Sequence, residues 1–172
     1  MTTTQTQTVP VSAKTLATLF ETSYFVFGKN TAGITHEESV ELPQPAGNSA
    51  NWIAGHLVDA RLSVLDLLGH APTWTVAERA TYKRGSARLV DPAAAMPWER
   101  IVRELDATQE KLRAALPALT PEKLAAPLPV EQNPFKVDSL GDQLAVFHFH
   151  ESYHMGQLGI VRRLLGKPGA IA

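Results

Sequence analysis

Four separate segments of this chain repeat apolar side chains at helical spacing, and no run alternates apolar and polar residues in the manner of a strand. After Ser12, a candidate N-cap, Leu16, Leu19, Phe20, Ser23 and Phe27 share one face until Gly28, where the pattern predicts a stop. Ser49 can cap a second helix with the stripe Ile53, His56, Leu57, Ala60, Val64, Leu67 and Leu68, closed by Gly69. Pro97 opens a third, with Trp98, Ile101, Val102, Leu105, Leu112 and Leu116 on one side. The fourth begins near Asp138 or Ser139 and carries Leu140, Leu144, Phe147, His150, His154, Leu158, Val161 and Leu165. Four amphipathic helices with no sheet to cover pack most simply as an all-α four-helix bundle.

The connections fit that reading. The segment THEESVELPQPAGN is polar, and the stretch from Thr73 to Pro97 reads as a loop with a short helical turn. LTPEKLAAPLPVEQNPF holds four prolines and reads as an irregular arm, since proline interrupts the helical hydrogen-bond ladder. The long connections are compatible with a crossover topology. One domain is expected over residues 1–172, with a frayed start at 1–10 and a helical core from about 12 to 166.

Composition narrows the chemistry. The chain has no cysteine, so it offers no disulfide, no thiolate ligand and no cysteine nucleophile; a metal would need nitrogen or oxygen donors. With 16 basic and 17 acidic residues and a formal charge of -1, it presents no global field for a polyanion, which argues against nucleic acid. No stretch approaches the ~20 apolar residues of a membrane span, and the start lacks a signal-peptide pattern. A soluble cytoplasmic protein is the expectation.

Within HFHESYHMGQLGIVRRLL, residues 148 to 165, lies H-E-x-x-H. His150 and His154 project about 40° apart on a helix, close enough to grip one ion, and Glu151 stands where a zinc peptidase keeps its general base. Both histidines fall on the apolar stripe, as does His56 on the second helix. An imidazole buried without a partner costs roughly 1–3 kcal/mol, so each must be hydrogen-bonded or ligated. For one such residue a core hydrogen bond is the simpler explanation. Three at matching depth on two helices point to a metal, and three neutral imidazoles leave coordination positions open, as catalytic zinc sites do. Glu151 lies about 100° from His150 and stays open between a general base and a salt bridge; the structural role is preferred. His36, His70 and His148 read as exposed or packing residues, Tyr153 and Gln157 as outer contacts or packing, and Arg162 and Arg163 as complements to the helix dipole.

The blocks Asn51-Trp52-x-x-Gly55-His56-Leu57, His150-Glu151-x-Tyr153-His154-x-Gly156-Gln157 and Arg162-Arg163-Leu164-Leu165-Gly166 resemble the DinB-like (YfiT-like) family, with a likeness spanning nearly the whole chain. Tyr82-Lys83-Arg84-Gly85-Ser86 resembles a loop of many members, without a role assigned to it. The resemblance implies an up-down-down-up four-helix bundle, commonly dimeric, holding one divalent metal on positions that match His56, His150 and His154. The H-E-x-x-H is then a metal pair and not a peptidase signature. The extended peptidase pattern would need Gly at 157 and His at 160, where Gln157 and Ile160 stand.

Three functions follow from these readings. The first is a metal-dependent enzyme acting on a small molecule, either a thiol-dependent S-transferase using a low-molecular-weight thiol or a hydrolase, with zinc favoured and nickel or iron(II) as alternatives. The second is a non-catalytic metal-binding or stress-response protein. The third is a structural bundle whose histidines pair among themselves. A homodimer is expected from the resemblance and from apolar surplus that includes Trp74 and Trp98.

Overall fold

A computed structural model of the chain describes residues 11–133 and 135–170, so the frayed start expected at 1–10 lies outside the described residues. Among those residues the chain is all-helical, with seven α-helices and three short 3₁₀ turns. Four helices are long: α1 (Ala13–Thr31), α3 (Ala50–Leu67), α5 (Trp98–Ala115) and α7 (Leu140–Leu164). Three short ones stand in the connections: α2 (His36–Val40), α4 (Val76–Tyr82) and α6 (Pro121–Leu124). Each long helix packs against two others, α1 against α5 and α7, and α3 against the same two.

Local chemistry sets the boundaries. Ser12, Ser49 and Ser139 each accept a hydrogen bond from the backbone N–H three residues on, fixing the starts of α1, α3 and α7. The two short helices in the first connections are each nucleated by a capping box, Thr35 with Glu38 and Thr75 with Glu78. The THEESVELPQPAGN connection therefore contains a helix that was not expected. Helix α1 also runs past Gly28 to Thr31. Its last turn is held from outside by Asn30 Nδ2, which donates to the Met155 carbonyl at 3.0 Å, and from within by Thr31 Oγ1, which donates to the Phe27 carbonyl. Tertiary contacts outweigh the glycine's weak helix propensity here. The chain reverses instead at Gly33, whose φ of +70° is the left-handed conformation glycine tolerates best.

The core divides into two apolar lobes. One is built around Phe27, Ile53, Leu57, Trp98, Ile101 and Leu158, the other around Leu16, Phe20, Leu65, Leu112, Leu116 and Leu144. Between them every long helix contributes a buried polar residue: Ser23 on α1, Arg61 on α3, Gln109 on α5 and Glu151 on α7. Trp74 and Trp98, expected to supply apolar surplus for a partner, are each 3% exposed and belong to the chain's own core. Arg162 is buried, and its guanidinium donates to the carbonyls of Asn30 and Ala32, closing the end of α1 as well as its own helix. Among the described residues no helix is long and apolar enough to cross a membrane.

Candidate metal centre

Helices α3 and α7 pack directly on one another, so His56 on the first meets His150 and His154 on successive turns of the second. The ring centroids lie 4.8, 4.7 and 4.5 Å apart for the three pairs, and one nitrogen from each falls within 4.8 Å of the others. His56 is 4% and His154 9% exposed, with His150 half-buried between them. The fold thus gathers all three residues singled out from the sequence.

Hydrogen bonds fix how two of the rings present themselves. His56 Nδ1 lies 2.7 Å from the Tyr82 carbonyl, which can only accept, so Nδ1 carries the proton and Nε2 keeps its lone pair. His154 Nδ1 lies 2.7 Å from Gln157 Oε1 and donates in the same way, freeing its Nε2. His150 Nε2 approaches His56 Nε2 at 2.9 Å, and its Nδ1 is buried with no partner. Two facing lone pairs at that distance repel unless a proton or a cation lies between them. Burial and then mutual repulsion hold His150 and His154 down to about 4, and burial lowers His56 as well. The centre is therefore a set of neutral imidazoles, with the Nε2 lone pairs of His56 and His154 turned inward, a donor set that fits a divalent ion of borderline softness.

The sequence around His56 builds the support. Tyr82 packs its ring against Gly55, where an added Cβ would come within 2.3 Å of Tyr82 Cδ1. That contact carries the Tyr82 carbonyl to His56. The phenol is anchored in turn: it donates to Asn51 Oδ1 at 2.9 Å and accepts from the Met96 N–H at 2.7 Å. Trp52 stacks on His56 with centroids 4.8 Å apart and donates from Nε1 to Ser86 Oγ at 3.0 Å. Asn51, Trp52, Gly55 and His56 thus act together, with Tyr82 to Ser86 as their counterpart. The loop without an assigned role orients the first histidine.

A cleft of about 460 Å³ opens on the histidines, walled by Trp52, Phe135, Phe147 and Tyr153, with Asp59 and Arg84 as its charged residues. A larger cleft of about 560 Å³ between α1 and α7 lies apart from them, and His148 faces it, bonded to Ser23 Oγ at 3.1 Å. The donor set therefore makes the smaller cleft the candidate functional one.

The model of the DinB superfamily matches residues 19–158. The chain belongs to the DinB superfamily. No curated protein matches it. The crystal structure of the conserved protein of locus from Enterococcus faecalis has a similar fold, with a TM-score of 0.68 at 18% identity over 93% of this chain and all of that one.

Within this DinB-superfamily chain, Glu151 does not turn toward the histidines. Its carboxylate is 2% exposed and accepts from Arg61 twice, from Nε at 3.0 Å and from Nη2 at 2.6 Å. The preferred structural placement is the one observed, and sequence reading did not supply its partner. Arg61 sits inside a helix with fourteen buried residues, a signal present in the nearly unbroken apolar run around His56. Of the two readings open for Gln157, outer contact or packing, the structure has its Oε1 2.7 Å from His154 Nδ1, and Tyr153 meets His154 edge-on at 5.3 Å.

Proposed function

We propose that this DinB-superfamily chain is a metal-dependent enzyme acting on a small molecule, with one divalent ion held by His56, His150 and His154. The observation that carries the reading is the pair of inward Nε2 lone pairs, fixed by the Tyr82 carbonyl and Gln157, at the floor of an open cleft. A storage or purely structural site has no need of that opening. Zinc is the favoured ion, with nickel or iron(II) as alternatives, and the scaffold is read as an up-down-down-up four-helix bundle, which the pairing of the four long helices supports. A bound ion would supply Lewis acidity, either toward water or toward the thiolate of a low-molecular-weight thiol, so hydrolase and S-transferase are the two reactions in view.

The chain's own residues have separate tasks. Tyr82 and Gln157 hold protons on the outer nitrogens of His56 and His154, the aromatic walls exclude water, and Arg61 keeps Glu151 away from the open side. A homodimer belongs to the same reading. It is supported by an exposed apolar stripe on α7, where Phe149, Tyr153, Ile160 and Leu164 share one face and are 58–70% exposed. Metal analysis of protein purified without a histidine tag should give one ion per chain, followed by turnover in a screen of thiols and esters. A chain that binds no divalent ion would end this reading, and sedimentation showing only an 18.7 kDa species would end its dimer component.

A further inference from the structure

The charges at the metal cleft do not balance, and the imbalance points to a class of ligand. Two charged side chains line it, Asp59 and Arg84. Asp59 is already matched: Arg79 Nε donates to its Oδ1 at 2.6 Å, and Arg79 Nη2 donates to Ser63 Oγ at 2.7 Å, which also occupies the polar group beside it. Arg84 is different. It stands exposed at the rim, in the loop whose neighbours Tyr82 and Ser86 are tied to His56 and Trp52. Among the described residues no carboxylate pairs with it and no acceptor takes a hydrogen bond from its guanidinium.

With an ion bound, the floor of the cleft would take the same sign. Three neutral imidazoles contribute no negative charge, so a divalent cation bound to them would keep its full formal charge, the largest in the site. The charge of that ion at the floor and the free guanidinium at the rim would be joined by the aromatic walls of Trp52, Phe135, Phe147 and Tyr153, which would focus the field into the cleft. Water alone screens Arg84, and the loop that carries it is fixed to the centre. A planar guanidinium in that position suits a carboxylate, which it can hold through two parallel hydrogen bonds.

Resting on the metal-site reading above, we infer that Arg84 is a specificity residue that selects small molecules with an apolar or aromatic body and a carboxylate, the carboxylate held at the rim while the other end meets the metal centre. Asp59 and Ser63 are already held by Arg79, so Arg84 is the free charged partner that the cleft offers to a ligand. Arg84 positions the ligand and has no part in the bonds that react.

The test uses full-length protein loaded with Co²⁺, whose visible spectrum reports ligands entering the coordination sphere. Benzohydroxamates bearing a carboxylate or the uncharged carboxamide at the meta or para position share a metal-binding end and differ only in charge at the far end. Wild-type protein should bind the better carboxylate isomer roughly tenfold or more tightly than its carboxamide, the worth of one charge-assisted hydrogen bond, and added salt should reduce the ratio. Arg84→Ala should bring the ratio to about one while leaving the affinity for Co²⁺ and for the carboxamide unchanged, and Arg84→Lys should restore part of the preference. A ratio unmoved by Arg84→Ala, or a wild type indifferent to the carboxylate, would overturn the inference with the metal site intact. Failure to bind Co²⁺ on the three histidines would remove the metal site and the inference with it.

Discussion

His150 and Glu151 are neighbours in the chain, both lie inside the helical assembly, and they belong to opposite kinds of polar site. Glu151 is the inner end of a satisfied chain of hydrogen bonds that crosses all four long helices. It accepts from Arg61; Arg61 Nη1 donates to Gln109 Oε1 at 2.9 Å; Gln109 Nε2 donates to Glu21 Oε2 at 2.8 Å; and Arg113 clamps Glu21 from the surface. Every strong donor and acceptor in it has a partner. The histidine centre is unfinished by comparison, with His56 Nε2 and His150 Nε2 drawn to 2.9 Å and a buried His150 Nδ1 that bonds to nothing. A buried polar group that completes its own bonds fixes the packing, and one that does not is arranged for something that arrives later.

The comparison breaks most visibly at the closed site. Arg61→Ala leaves the Glu151 carboxylate buried and unpaired, and it should cost about 3–5 kcal/mol in urea denaturation, as removal of one partner from a buried ion pair does. Replacing both by leucine should recover much of that loss, since two desolvated charges go together. Glu151→Gln should also melt lower than wild type while keeping its metal. A Glu151→Gln protein with normal melting and normal metal content but almost no turnover would put the carboxylate back in the chemistry and refute the division drawn here.

At the open site the expected losses fall on the metal. Alanine at His56, His150 or His154 should weaken divalent-ion binding, measured by competition with a chelating dye, by more than the roughly 10–100-fold that loss of an outer contact costs. Stability of the metal-free protein should change less than in Arg61→Ala, because His56 and His154 each give up one neutral hydrogen bond and no buried charge is left unpaired. Gly55→Ala comes next in size. The new methyl would displace the Tyr82 ring and with it the carbonyl that orients His56, so affinity should fall by roughly 10–100-fold although no ligand has changed. Unaltered affinity in Gly55→Ala would show that the Tyr82 contact does not orient the histidine.

The same contrast explains how much was legible in the sequence. The four long helices and the serine caps of three of them follow from spacing and local chemistry, and so does the buried face shared by His56, His150 and His154. Helix α2 escaped notice because its five residues have no apolar stripe, only the capping box of Thr35 and Glu38. Gly28 was misleading, since the bond from Asn30 to Met155 that carries α1 onward joins residues 125 apart in the chain. Arg61 and the Tyr82 carbonyl were hidden for a similar reason: each acts through a partner on a distant segment, and a backbone carbonyl leaves no mark in a residue pattern. Ligand types are written in side chains. The bonds that orient them are written in the fold.

The smallest effect separates the two regions by pH. His150 and His154 titrate at about 4 in the metal-free folded protein, below the ordinary imidazole value of 6.5, because burial and then neighbouring imidazoles oppose their charging. Between those values the unfolded chain takes up protons that the folded chain refuses, so falling pH favours unfolding. Their contribution is constant above 6.5 and is lost as pH drops from 6.5 toward 4. Glu21 lies at the surface end of the closed chain, and the Arg113 hydrogen bond holds its carboxyl below 4.5, so its stabilisation persists above 4.5 and disappears only under more acidic conditions. The metal-free wild type should therefore lose on the order of a few degrees in Tm between pH 6.5 and 5, before Glu21 is affected. A protein with His150→Gln and His154→Gln should lose clearly less over that interval, the remaining slope coming from His56 and His148, which burial also lowers, and should join the wild-type slope below it. Parallel curves for the two proteins from pH 6.5 to 5 would mean that the histidines are not held neutral by their surroundings, and the centre would lose its claim to be prepared for a cation.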